Sequence, residues 1–177
     1  MTPTVRDATS LDGERCAAIY APYVTGTVAS FETEAPDAAE MRRRISAAQR
    51  AHAWLVAEVE GQVVGYAYGG PYRARPAYRW TTEVSVYVAP DGRRRGTGRA
   101  LYDALLERLG HRGYRTVVAG MTLPNPASAA LHAAMGFEQA GVLRDVGWKL
   151  GAWHDVALLR RSLGEQATDD EPPADPR

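Results

Sequence analysis

Cysteine occurs once in the chain, as Cys16, so no intrachain disulfide can form and neither a multi-cysteine zinc site nor a paired-thiol redox motif can be built. The lone residue reads as a small buried thiol. Lysine is equally scarce: of 21 basic residues, all but Lys149 are arginine. No apolar run approaches the roughly 20 residues of a membrane span, and the start, Met1-Thr-Pro-Thr-Val-Arg-Asp, lacks the basic-then-apolar order of a signal peptide. A membrane protein is excluded and a cytoplasmic one expected. No period of roughly 20 to 50 residues recurs, which removes solenoids and propellers.

What remains is ordinary for one domain: 177 residues, 45% hydrophobic and 24% charged. The net charge is +0, but residues from Gly164 onward hold five acids and one base, leaving 20 bases against 16 acids upstream. That mild surplus suits a small anionic ligand. It lacks the clustered basic face, interleaved with aromatics, that nucleic acid calls for. The end, GEQATDDEPPADPR, has three prolines and no large apolar side chain, so a disordered tail over 164–177 follows a domain ending at Leu163.

Strand and helix patterns alternate along the domain. A short strand covers Thr4 to Asp7 and a helix Ser10 to Tyr20. Asp37, three residues before Glu40, opens a second helix as a capping box. Trp54 to Val59 and Val63 to Tyr68 form a hairpin around Glu60-Gly61-Gln62. Thr81 to Ala89 is a strand closed by Pro90. Leu101, Leu105 and Leu109 make one stripe of a helix from Gly98 to Gly110. Thr116 to Met121 is a strand, and Asn125-Pro126 begins a helix that Gly136 ends. Val142 to Leu150 and His154 to Leu163 flank a turn at Gly151-Ala152-Trp153. The order β-α-α-β-β-β-α-β-α-β-β describes a mixed α/β (α+β) sheet protein.

The stretch TTEVSVYVAPDGRRRGTGRALYDALLERL carries most of the chemistry: strand, Gly/Arg-rich turn, amphipathic helix. Arg93, Arg94, Arg95, Gly96, Thr97 and Gly98 offer consecutive backbone N–H groups at a helix N-terminus, where the dipole attracts phosphate. The spacing is neither GxxxxGK[ST] nor GxGxxG, so a nucleotide hydrolase loop and a dinucleotide fingerprint are absent. Alone, the turn reads equally well as solvated basic surface. In context, Arg93-x-x-Gly96-x-Gly98 after a strand resembles the pyrophosphate motif of the GNAT superfamily of acetyl-CoA-dependent N-acetyltransferases. RARPAYRWTTEVSVYV, LPNPASAALHAAMGF and GWKLGAWHDV are similar to segments of its phosphinothricin and methionine sulfoximine or sulfone N-acetyltransferase branch. The resemblance spans nearly the whole chain outside the acidic tail.

That resemblance implies a mostly antiparallel central sheet, flanked by helices and splayed at the acetyl-CoA site. It also implies acetylation of the α-amine of a small amino-acid analogue, by direct attack and without a metal. Glu83 becomes the general base; in an apolar strand its carboxyl is partly desolvated and its pKa raised. The plainer reading is an exposed strand glutamate. The resemblance further implies that the backbone of Val86, Tyr87 and Val88 pairs with the pantetheine arm, the Val86 N–H facing the thioester oxygen. Arg93, Arg94, Arg95, Gly96, Thr97, Gly98 and Arg99 hold the pyrophosphate. Asn125 and Ser128 contact the arm, unless they only cap their helix. His132 handles a proton, the alternative being a packed or solvent-facing histidine; 126–136 contain no tyrosine to act as general acid. Phe31, Arg73, Arg75 and Tyr78 join Glu83 in binding substrate, two guanidinium groups suiting a doubly anionic acceptor. Relatives of this kind are commonly homodimers. Another natural amine or an antibiotic as acceptor, and a non-catalytic CoA-binding sensor, are the competing readings.

Overall fold

A computed structural model describes residues 2–93, 95–164 and 174–177. Strand β1 (Thr4–Asp7) leads to helices α1 (Gly13–Gly26) and α2 (Ala38–Ala51). Then come β2 (Trp54–Val59), β3 (Gln62–Pro71), β4 (Thr81–Val88), α3 (Thr97–His111), β5 (Thr116–Thr122), α4 (Pro126–Ala134), β6 (Glu138–Lys149) and β7 (Ala152–Ser162). The order is the one the sequence predicts. One seven-stranded sheet results, ordered β1-β2-β3-β4-β5-β7-β6. Every neighbouring pair is antiparallel except β4 with β5, and those two are joined by α3, the helical crossover a parallel pair requires.

Alternation along the strands divides the core in two. Trp54, Val56 and Tyr66 face α1 and α2, meeting Cys16, Ile19, Val24, Met41 and Ile45. Leu55, Ala57, Ala67, Val84 and Val117 face α3, whose Leu101, Leu105 and Leu109 are all 0% exposed. Cys16 is buried as expected, and burial pushes its thiol pKa up to about 12, where it is inert.

Helix starts follow their local chemistry. Asp37 Oδ1 accepts the Glu40 N–H at 2.7 Å, but Glu40 turns its carboxylate to Arg44 at 2.8 Å and to Arg43, so the reciprocal half of the capping box is not made. Asn125 Oδ1 accepts the Ser128 N–H at 3.1 Å, and Gly136 ends α4 at φ +73°.

Three details depart from the sequence reading. Helix α1 does not stop at Tyr20 but runs through Pro22 to Gly26. An interior proline costs about 3 kcal/mol; burying Ile19 and Val24, worth about 1.5 to 3 kcal/mol each, offsets it. The last hairpin turns at Leu150 (φ +51°) and Gly151 (φ +79°), one residue earlier than expected, and β6 begins at Glu138. Two successive left-handed residues make the tight turn whose twist matches the strands. Finally, residues 165–173 of the expected tail lie outside the described residues, while the last four make contacts with the domain. The Trp80 indole donates to the Ala174 carbonyl at 3.1 Å, Arg79 meets Asp175 at 2.7 Å, and Arg177 N–H donates to the Arg112 carbonyl at 2.9 Å.

Candidate active site

Strands β4 and β5 pair for only three residues, Thr81 to Glu83 against Thr116 to Val118. Past Glu83 they part, as β5 goes on with β7 and β4 with β3. The Ala89 N–H donates to the Val64 carbonyl at 2.8 Å, which fixes the phase of the β3–β4 ladder. By antiparallel alternation, the backbone groups of Ser85 and Tyr87 point to β3. Those of Val84, Val86 and Val88 point the other way, into the gap. The result is an open strand edge with no strand on it among the described residues. At Val88 that edge is already used, since the Tyr23 hydroxyl donates to its carbonyl at 2.6 Å and accepts from its N–H at 3.4 Å.

The gap widens into a cleft of about 750 Å³, walled by β4, the turn before α3, the end of β5 and α4. Val86, Tyr87, Val88, Arg93, Gly96, Thr97, Gly98, Arg99, Asn125, Ser128 and His132 all line it. Gly96, at φ +76°, caps α3 without a side-chain partner, so the first helical N–H groups lack intrahelical acceptors and face an anion's natural position. Thr97 is buried and donates its hydroxyl to the Gly92 carbonyl at 2.7 Å, pinning the turn. Gly98 lets α4 approach: a Cβ there would stand 3.0 Å from Leu131. Arg95 is exposed beside the cleft rather than in its wall, and Arg94 lies outside the described residues. The Tyr87 ring packs edge-on against Tyr20 and Tyr23 and its backbone pairs with Tyr66 of β3, so, contrary to the expectation from sequence, its own main-chain groups are not free to pair with a ligand.

Glu83 stands where the strands part, opposite Gly70 on β3 and Val118 on β5. Its carboxyl oxygen lies 3.8 Å from where a Gly120 Cβ would be, so it stands at ordinary contact distance beside Gly120 of the cleft wall, without lining the cleft itself. The residue is exposed along its flank, yet the carboxyl is shielded enough that desolvation raises its pKa. His132 is 5% exposed, and burial lowers its pKa, opposed in part by its bond to the Ser128 carbonyl.

The expected substrate residues lie outside the cleft wall, beyond Glu83. Arg73 follows the end of β3, its guanidinium 5.1 Å from the Tyr72 ring centroid and 5.8 Å from that of Tyr78. Arg75 precedes the turn Pro76–Tyr78 and is exposed. Phe31 is 39% exposed and packs against Gly147 of β6. Its loop is clamped on both sides: Lys149 donates to the Ser30 carbonyl at 2.5 Å, and Arg44 holds Glu32 at 2.7 Å. Sequence reasoning missed Gly120, Tyr23 and Lys149. Only Gly120 carried a signal, an interior strand glycine that marks close approach.

An open strand edge at one end, a helix N-terminus at the other and a desolvated carboxylate between cleft and loop define an acyl-transfer site for an elongated anionic donor. The comparisons agree. The sequence pattern of the Acetyltransferase (GNAT) family matches residues 16–137. The phosphinothricin N-acetyltransferase of Streptomyces viridochromogenes is 41% identical over 173 residues, covering 98% of this chain and 91% of that one. The L-methionine sulfoximine/L-methionine sulfone acetyltransferase of Pseudomonas paraeruginosa is 36% identical, covering 92% and 96%. The crystal structure of a Sinorhizobium meliloti phosphinothricin acetyltransferase in complex with acetyl-CoA superposes with a TM-score of 0.93 at 38% identity, covering 99% and 96%. The chain therefore belongs to the GNAT acetyltransferase family. Within it, the enzyme is an N-acetyltransferase that uses acetyl-CoA.

Proposed function

We propose that this enzyme acetylates the α-amine of a small amino-acid analogue of the phosphinothricin, methionine sulfoximine or methionine sulfone type. The carrying observation is the position of Glu83, between the cleft and the loop that bears Arg73, Arg75 and Tyr78. Relatives named for those acceptors support it.

Acetyl-CoA supplies the acetyl group as a thioester. Glu83 removes the proton that leaves the attacking amine, directly or through one water, and its raised pKa keeps it close to the range in which a general base works. The Val86 N–H, on the open edge, donates toward the oxygen that gains charge. Arg93, Arg94, Arg95, Gly96, Thr97, Gly98 and Arg99 bind the pyrophosphate, with Asn125 and Ser128 along the arm. By occupying Val88, Tyr23 confines backbone pairing on this edge to Val86 and the residues before it. His132 handles the proton that the leaving sulfur needs. Phe31 covers the acceptor, and Arg73, Arg75 and Tyr78 bind its anionic groups.

The domain extends to Leu163, and the enzyme works in the cytoplasm, where acetyl-CoA is available. A second copy of the chain covers the exposed apolar side chains of the β6–β7 hairpin, making a homodimer.

Thiol release from acetyl-CoA, followed across phosphinothricin, methionine sulfoximine, methionine sulfone, ordinary amino acids and aminoglycosides, tests the acceptor. Selective turnover of the first three is expected. Arg73→Ala and Arg75→Ala should each raise the acceptor KM about tenfold, the loss of one charge-assisted contact worth about 1.5 kcal/mol, with the acetyl-CoA KM unchanged. Turnover confined to other amines would discard the acceptor and keep the fold. No turnover at all would favour a CoA-binding sensor.

A further inference from the structure

The loop between β3 and β4 that bears Arg73, Arg75 and Tyr78 is exposed over the whole of 73–79. Much of its bonding is internal. The Tyr78 and Arg79 N–H groups donate to the Arg75 and Pro76 carbonyls at 3.0 and 3.1 Å, and the Tyr72 and Tyr78 rings meet edge-on at 5.6 Å. Exposed side chains keep their rotamer freedom, so a loop of this kind loses conformational entropy on binding a ligand unless something outside it sets its position.

At the corner Arg79–Trp80 the loop's side chains do reach outward, and both reach residues 174–177. Arg79 Nε meets the Asp175 carboxylate at 2.7 Å, and the Trp80 indole N–H donates to the Ala174 carbonyl at 3.1 Å. The Arg79 guanidinium also lies over the Trp80 ring, 4.3 Å from its centroid, so the two side chains present one surface. The other end of the segment is tied to a different element. The Arg177 N–H donates to the Arg112 carbonyl at 2.9 Å, and Arg112 Nη1 donates to the Arg177 main-chain oxygen at 3.0 Å. Pro176 stands against Gly113, where a Cβ would lie 3.6 Å from its Cα. Arg112 in turn donates to the Gln49 carbonyl at 3.0 Å, in the last turn of α2. Residues 174–177 therefore run from the ends of α2 and α3 to the corner of the loop.

That corner adjoins the chemistry. Trp80 directly precedes β4, and its carbonyl accepts the Arg115 and Thr116 N–H groups at 2.9 and 3.3 Å, where β4 and β5 begin to pair. Glu83 follows on the same strand. Fixing the corner sets where the loop leaves the sheet, and with it where Arg73, Arg75 and Tyr78 stand relative to Glu83.

We infer that residues 174–177 are a strap that positions the acceptor loop. Ala174 and Asp175 are positioning residues, acting through Trp80 and Arg79 rather than on the acceptor. An exposed ion pair contributes little alone. Here each of four consecutive residues makes a contact, and once one has formed the others are intramolecular over a short span. Pro176, with its φ fixed, lowers the entropy lost on docking. The inference rests on the proposed role of Arg73, Arg75 and Tyr78 in binding the acceptor.

The test compares the full chain with one ending at Pro173. With any acceptor that the full chain turns over, the acceptor KM is expected to rise about fivefold, while kcat and the acetyl-CoA KM stay within about twofold, since Glu83 and the cleft are untouched. Asp175→Ala should raise the acceptor KM about twofold, and Asp175→Glu, which keeps the charge, should restore it. An unchanged acceptor KM in the shortened chain, or a rise shared by the acetyl-CoA KM, would overturn the inference. A second readout needs no acceptor. In the ligand-free protein, the Tyr78 and Arg79 amides should exchange with deuterium about threefold faster in the shortened chain and in Trp80→Phe, which keeps a ring and loses the indole donor, while amides in the middle of α3 keep their rates. Unchanged exchange at those two amides would overturn the strap even where the KM moves. Failure of the acceptor panel leaves this exchange measurement able to decide whether the segment holds the loop, so the two readings fail separately.

Discussion

Glu83 is the last residue of β4 paired on both sides, and beyond it the sheet opens. Its carboxyl pKa is raised by desolvation. A base must be ionised to accept a proton, so turnover should fall as pH drops through that raised pKa, above the ordinary glutamate value near 4.3. Glu83→Gln keeps the shape and loses the base. We expect kcat to drop between about a hundredfold and ten-thousandfold, with the acetyl-CoA KM within about threefold and the acid limb of the profile gone. Steady-state kinetics from pH 5 to 9 check this; an unchanged kcat at neutral pH would show that another group takes the proton. Glu83 was legible in the sequence as a carboxylate inside an apolar strand. The close approach of α3 and α4 was not, because only tertiary packing brings them together at Gly98 and Leu131.

At the level of elements, β6 does more than end the sheet, since its Gly147 is where the Phe31 ring packs. A Cβ at Gly147 would stand 2.1 Å from that ring, far inside contact distance. The ring cannot simply lift, because Ser30 and Glu32 on either side are held by Lys149, Tyr20 and Arg44. Gly147→Ala should therefore displace Phe31 at a cost of about 1 to 3 kcal/mol. If Phe31 covers the acceptor, the acceptor KM rises at least fivefold while the acetyl-CoA KM does not move. Equal changes in both, measured on the same preparation, would assign Phe31 to packing alone. The strands and helices themselves were readable because strand alternation, the leucine stripe and the Asn125 and Gly136 signals are local. Helix α1 beyond Pro22 and the first residues of β6 were not, because burial of Val24 and pairing with β7 decide them, and neither is visible in a short window of sequence.

For the whole molecule, the sheet has two free edges among the described residues, and they differ. Strand β1 is four residues long, with both end residues exposed and Arg6 tied to Asp12 and Glu58. Strand β6 is twelve residues long, and its hairpin exposes Leu143, Val146, Trp148, Leu150 and Trp153 at 45% to 62%. Trp148 and Trp153 face each other across the hairpin with ring centroids 5.4 Å apart. A long apolar edge of this kind is an aggregation hazard unless something covers it. An antiparallel edge is self-complementary about a two-fold axis, so a second copy can cover it with the same surface and close the assembly. The enzyme should sediment at twice its chain mass of 19.2 kDa at micromolar concentration. Its Tm should fall on dilution, since dissociation is linked to unfolding. Trp148→Arg/Trp153→Arg should sediment as a monomer with a Tm that no longer depends on concentration. A parent enzyme that sediments at the single-chain mass across the same concentrations would refute the dimer and leave the hairpin's tryptophans without a partner from the same chain.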